Sequence, residues 1–237
     1  MPGDQRATDA LAAAAELGAF FATTPAAEPD WTSWSRLTGE PAVLARRLAE
    51  VGRALSAPRG GVVPQAPVVA STAHLGLVAR LVAPVLGAAL VSGTLPVAPP
   101  GSVHVRLSGA NPLPLSLGEP TPVAADRPGE LARAFTRHWL TPAIAPLGAA
   151  VQAASGVSPQ VLHGNVVSAV AGALRMAAGA RPELAGRSAA VLDDLLRTGP
   201  LAGLGDLRAD GSFVRRSCCL YYRLPGAGTC GDCVLRG

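Results

Sequence analysis

Apolar positions recur along this chain mostly at helical spacing, and proline and glycine make the breaks between them. Between Asp9 and Phe21 the positions Leu11, Ala14, Ala15, Gly18 and Phe21 fall on one helical face. A loop with two tryptophans follows from Pro25 to Trp34. Thr38 ahead of Pro41 predicts a helix start. Leu44, Leu48, Val51 and Leu55 then stack along one side while Arg46, Arg47, Glu50 and Arg53 face away. The breaker-rich stretch Pro58 to Pro67 leads into a long, nearly uncharged helix over Val68 to Leu90, bent at Pro84. Two short alternating runs, Val103 to Leu107 and Leu113 to Leu117, flank Gly109 to Pro112 and predict a small hairpin. Helices resume over Gly129 to Leu140. Another runs from the cap-plus-proline start Ser158-Pro159 to near Ala180, and a last one spans Leu184 to Leu196 before Gly199-Pro200. The pattern predicts a mostly helical α+β fold. Its body, with a small β-hairpin, covers residues 1–204, and a C-terminal cysteine-rich extension covers residues 205–237.

Composition narrows the partners. A hydrophobic content of 49% is ample for a core, while an aromatic content of 4% makes that core chiefly alanine, valine and leucine. There is no lysine, so all 20 basic residues are arginine, and against 16 acids they leave a net charge of +4. These arginines are scattered and not interleaved with aromatics, which argues against a nucleic-acid surface. Leu81 to Ala98 is uncharged, but Pro84, Gly87, Gly93 and Pro96 interrupt it. Together with the apolar stretch Trp139 to Leu174, it is expected to be a buried core element and not a transmembrane segment. No secretory signal stands out near the start, so a cytoplasmic location with reduced thiols is expected.

Chemistry concentrates at the end. All four cysteines lie between Cys218 and Cys233: a vicinal pair, ten residues, then Cys230-Gly-Asp-Cys233. Pro225, Gly226 and Gly228 let the intervening loop double back, so one thiolate site is expected. Thiolates select zinc, copper(I) or an iron–sulfur cluster. Adjacent cysteines are awkward ligands for one tetrahedral ion, whereas a two-iron cluster spreads its ligands over two metals, which favours [2Fe–2S] over zinc. Two structural disulfides are the remaining alternative, though a chain of this length has a core and rarely needs them. Arg215, Arg216, Arg223 and Arg236 flank the cysteines and would compensate the negative charge of such a cluster or orient an acidic donor, the alternative being a solvated basic tail. The histidines are dispersed. His163 and Asn165 lie in an apolar helix and are expected to find buried partners or to line a polar cavity. No Rossmann-type glycine pattern or phosphate loop is present, so electrons would come from a partner.

The run Arg216-Ser-Cys-Cys-Leu-Tyr-Tyr-Arg-Leu-Pro-Gly, followed by Thr-Cys-Gly-Asp-Cys, resembles the C-terminal signature of the FhuF-type ferric siderophore reductases. The shared spacing is Cys-Cys-x10-Cys-x2-Cys, reproduced here without a gap. Val161-Leu-His-Gly-Asn165 is similar to an upstream Leu-x-x-Asn element of that family, with His163 where an aromatic is commoner. The resemblance implies that Cys218, Cys219, Cys230 and Cys233 ligate a [2Fe–2S] cluster. It further implies an enzyme that passes one electron to ferric iron in a hydroxamate-type siderophore, supplied by an external donor such as a ferredoxin or reductase. A plain electron-transfer or redox-sensing protein, and a helical binding module stabilised by zinc, are the alternatives.

Overall fold

A computed structural model of the chain describes residues 2–109, 111–208 and 210–236, with the side chains of residues 2–4, 59 and 236 outside the description. Helices dominate: α1 (Pro2–Ala15), α2 (Trp34–Gly39), α3 (Pro41–Ser56), α4 (Ala66–Ser92), α5 (Pro128–Phe135), α6 (Ala145–Ser155), α7 (Pro159–Ala180) and α8 (Ala185–Arg197). The centre of the fold is α4, which packs against α7 along its length and against α1, α3 and α6. A helix with so few charges can be buried nearly all round, and α4 is. By length and composition α4 and α7 could each cross a membrane, but 72% and 67% of their most apolar windows are buried inside the fold. The close approach of α1's trailing turn to α4 depends on Gly87, where a Cβ would lie 2.5 Å from the Phe21 ring.

Few polar groups enter this core, and most of those hold backbone. Arg80 of α4, 2% exposed, donates to the carbonyls of Phe20 at 3.0 Å and Ala22 at 2.6 Å, and also to Leu113. Burial pulls its pKa down to about 10, so it stays charged at neutral pH. Trp34 Nε1 donates to Ala143 O at 3.0 Å and Trp139 Nε1 to Pro96 O at 2.9 Å. His74 differs: it is fully buried and neither ring nitrogen has a partner among the described residues.

Several expected boundaries move. The first helix ends at Ala15; Leu17 is still buried, and Gly18, at φ 127°, turns the chain before Phe21 rejoins the core. The expected loop to Trp34 instead closes with strand β1 (Thr32–Ser33) and α2, whose N-cap is the Ser33 side chain. Thr38 does not start α3; its hydroxyl bonds back to Trp34 O, and the extended residue before Pro41 is Glu40. The expected hairpin is present as β3 (His104–Val105) against β4 (Leu115–Ser116), and β1 adds to it antiparallel. A second ladder was not expected: β2 (Thr94–Val97) pairs with β5 (Thr121–Ala124), setting Pro96 opposite Pro122. Only a two-stranded ladder tolerates this, because each strand keeps a free edge for residues lacking an N–H. Finally, the helix expected over 129–140 runs on through a wide π-helical stretch, Thr136–Ile144, into α6. That stretch contains Pro142, which would break the bonding of a regular α-helix.

Candidate metal centre

The chain leaves α8 through a turn at Gly199–Leu201, anchored by buried Leu201, and forms a hairpin of β6 (Gly205–Leu207) and β7 (Phe213–Arg215). Strand geometry sends successive side chains to opposite faces, and here that separates two arginines. Arg215 turns inward and is 1% exposed. Arg216 turns outward and pairs with Asp206 at 2.5 Å across the hairpin. The expectation that the flanking arginines surround the cysteines therefore holds for Arg215 by direct contact and not for Arg216, which is drawn to Asp206. Arg223 lies over the exposed Tyr222 ring, and the side chain of Arg236 is outside the described residues.

Immediately after β7 come the vicinal cysteines. Leu220 then adopts φ 68°, the one left-handed non-glycine residue among those described. Such a conformation costs on the order of 1 kcal/mol for a side-chain-bearing residue, so it needs support. Leu220 packs on the core, and its N–H donates to Cys218 Sγ at 3.3 Å. The Cys-x-x-Cys turn closes with Cys233 N on Cys230 O at 3.3 Å, and Arg215 N ties to Asp232 O at 3.2 Å. Leu235 N donates to Cys233 Sγ at 3.4 Å. Cys219 and Cys233 are buried, Cys218 and Cys230 half-buried, and all four are free thiols. Cys219 Sγ and Cys230 Sγ stand 3.7 Å apart.

A buried polar chain fastens this segment to the body. Ser71 of α4 donates to Cys219 O at 2.7 Å and accepts from Asn165 Nδ2 at 3.0 Å. Asn165 of α7 also donates to Ser71 O at 3.0 Å, and its Oδ1 accepts from Arg215 Nη1 at 3.2 Å. Arg215 Nη2 reaches Cys230 Sγ at 2.7 Å and Asp232 Oδ1 at 3.3 Å. The approach requires Gly164: a Cβ there would sit 1.8 Å from Ser217 Oγ. Asn165 thus meets its expectation as a satisfied buried polar residue, and its partners lead to the thiols. His163 does not, because it faces outward and is exposed. Ser71 carries no sequence signal for this role. Arg215 did carry one, as the inward position of a short alternating strand ending at the cysteines.

Electrostatics follow from burial. Loss of solvent raises the pKa of Cys230, with the Arg215 guanidinium pulling the other way, and loss of solvent likewise raises that of Cys218. Burial also works against the charge of Arg215, yet Asp232, Cys219 and Cys230 hold its pKa above the ordinary arginine value. Arg215 thus sits as a fixed cation between the Asp232 carboxylate and the Cys230 thiol. Metal binding would add negative charge beside it, because each thiol deprotonates as it ligates.

The residues fit an iron–sulfur cluster on this chemistry. Four unpaired thiols provide soft ligands. Arg215 Nε is a buried donor without a partner among the described residues, on the same guanidinium that bonds Cys230 Sγ. Among the described residues, no three histidine, cysteine or carboxylate side chains are grouped as one metal ion would need.

Comparison with known proteins agrees with this chemistry. Residues 215–235 match the family model of the FhuF 2Fe-2S C-terminal domain. No curated protein matches the chain. The matched stretch starts at the buried arginine and contains all four cysteines. Over these residues the chain is similar to the FhuF-type C-terminal domain, and the cofactor of that domain is a [2Fe–2S] cluster.

Proposed function

We propose that the chain is a ferric siderophore reductase. In this reading Cys218, Cys219, Cys230 and Cys233 hold the cluster, residues 205–237 form the redox segment, and the helical body over residues 1–204 binds the chelate. When bound, the cluster supplies one-electron transfer at low potential. The protein's own residues supply the rest. Arg215 places a fixed positive charge against Cys230, while Asn165 and Ser71 hold the cysteine loops on the body. The substrate is Fe(III) held by hard oxygen donors of the hydroxamate type. One electron makes it Fe(II), which the same oxygens hold weakly, so the metal leaves. The electron originates in an external one-electron donor such as a ferredoxin or reductase. The reading fits a reducing, cytoplasmic compartment in which free thiols persist.

The observation that carries this proposal is four free thiols in the FhuF-type segment, with Cys230 hydrogen-bonded to a buried arginine and 3.7 Å from Cys219. A cleft of about 430 Å³ supports it, lying between α3, α4 and the loop around Ser108, with Arg47, Arg53, Thr72 and Asn111 in its lining. That volume is in the range of small-molecule sites. Thr72 adjoins Ser71, which bonds to Cys219 O, so the cleft and the cysteine segment share one turn of α4.

The test supplies a reduced low-potential donor and a ferric hydroxamate, and follows Fe(II) with a strong ferrous trap. Acceleration over donor alone, saturable in chelate and absent from Cys230→Ser, is expected. Cluster-loaded protein that accelerates reduction of neither hydroxamate nor catecholate chelates overturns the proposal and leaves an electron-transfer or sensing role.

A further inference from the structure

We infer that Cys219 and Cys230 share one iron of the cluster, that Cys218 and Cys233 share the other, and that Arg215 makes the first of these irons the ferrous one after one-electron reduction. The inference rests on the cofactor and on these residues as its ligands; it does not depend on the chelate.

Separation comes first. A tetrahedral centre with thiolate bonds of about 2.3 Å holds its sulfurs about 3.8 Å apart. Cys219 Sγ and Cys230 Sγ are 3.7 Å apart, the edge of such a tetrahedron. They come from different loops, so neither the vicinal pair nor the Cys-x-x-Cys turn serves one metal alone. Cys218 and Cys233 remain, and they share a local pattern. Each accepts the backbone N–H of the residue two positions ahead, Leu220 at 3.3 Å and Leu235 at 3.4 Å. This division also removes the difficulty of neighbouring residues on one tetrahedral ion, since each pair takes one member of the vicinal dipeptide.

Asymmetry comes second. Each pair joins one buried and one half-buried cysteine, so exposure does not rank the two irons. The donors do. Cys218 and Cys233 accept neutral amide N–H groups, whereas Cys230 accepts from a guanidinium at 2.7 Å. Charge-assisted bonds are roughly twice as strong as neutral ones, and hydrogen bonds to cluster sulfur favour the reduced state. Asp232 Oδ1, 3.3 Å from the same guanidinium, opposes this in part. Asp232 acts on Cys230 itself, but more weakly than the hydrogen bond and charge of Arg215. On reduction one electron enters from the external donor, one Fe(III) becomes Fe(II), and the four cysteine–iron bonds are kept.

Paramagnetic NMR of the dithionite-reduced, full-length protein tests the pairing without any substitution. Cysteine β-protons on ferrous and ferric sites have contact shifts of opposite temperature dependence, and sequential contacts assign the neighbours Cys218 and Cys219. The expected result puts Cys219 and Cys230 in the ferrous class and Cys218 and Cys233 in the ferric class. Both vicinal cysteines in one class overturns the pairing, and Cys218 with Cys233 in the ferrous class overturns the role of Arg215. For Arg215 itself, midpoint potentials of Arg215→Gln and Arg215→Lys are compared with the wild type in preparations matched for cluster content. A fall in potential for the glutamine variant, partly restored by lysine, is expected. An unchanged potential in a loaded glutamine variant overturns it. Should the glutamine variant fail to hold a cluster, the lysine variant and the unsubstituted protein's class assignment decide the point.

Discussion

The helical body and the cysteine segment are held by different forces. In the body, α4 and α7 bury apolar side chains over many turns, and its arginine and tryptophans mostly steady backbone carbonyls. Among its described residues the cysteine segment has short strands and turns but no α-helix. Apart from a few apolar contacts such as Phe213 and Leu220, it is fixed by directional bonds: Ser71 to Cys219, Asn165 to Arg215, Arg215 to Cys230. Distributed packing tolerates the loss of any one contact at a proportionate cost. A short polar chain does not, since removing one member leaves another buried and unpaired. Stability and redox chemistry should therefore be separable by mutation, apart from Gly164 and Asn165, where the two regions meet.

The largest effect expected is at the ligands. Cys230→Ser replaces a soft donor with a hard one and should abolish most of the visible chromophore while leaving the far-UV helical signal intact. A parallel loss of helicity would break the comparison. Gly164→Val comes next. Ser217 Oγ can turn away from a new Cβ, but Ser217 Cβ would lie 3.2 Å from it and the two valine methyls need further space. The segment should therefore lift from α7, and iron and sulfide content should fall severalfold although all four cysteines remain. Full cluster content in this variant would show that docking on α7 is dispensable.

The converse experiment lies in the core. Leu86 is fully buried, and Leu86→Ala should cost about 3 kcal/mol of stability through the cavity it leaves. Denaturant titration should show that loss, with an unchanged cluster spectrum below the transition. His74 gives the body a pH dependence of its own. Burial first, and the nearby His163 second, lower its pKa to about 4. In the unfolded chain it returns to about 6.5, so between these values the unfolded state binds the extra proton. Stability is thus complete above pH 6.5 and declines as pH falls toward 4, by up to about 3 kcal/mol. His74→Leu should flatten the helical stability profile across that window, and an unchanged profile would assign the acid sensitivity elsewhere. Arg216→Gln should do least. Its pair with Asp206 is solvent-exposed and adds little to stability, and the cluster potential should move less than for Arg215→Gln.

The chemistry of this protein was legible in its sequence because it depends on residue type and spacing. Four thiols confined to one short segment specify a soft-metal site, and alternating runs near residues 103–117 specify a hairpin. The long uncharged stretch specified a helix, and its proline and glycine breaks favoured burial over a membrane span. Other features depend on which surfaces meet. Nothing local marks Ser71 as the residue that receives the Cys219 loop, or Gly164 as the one that admits Ser217. Pairing Pro96 with Pro122 was unreadable for the same reason, since prolines argue against a strand until a free edge is available. His163 and Asn165, two residues apart on one helix, looked alike by composition, and the placement of α7 sent one to solvent and the other to the cysteine segment. The arginines make the same point most sharply. The sequence determined that positive charge would lie beside the cysteines; only the β6–β7 hairpin decided that Arg215 turns inward and Arg216 outward, because a strand reverses its faces at every residue.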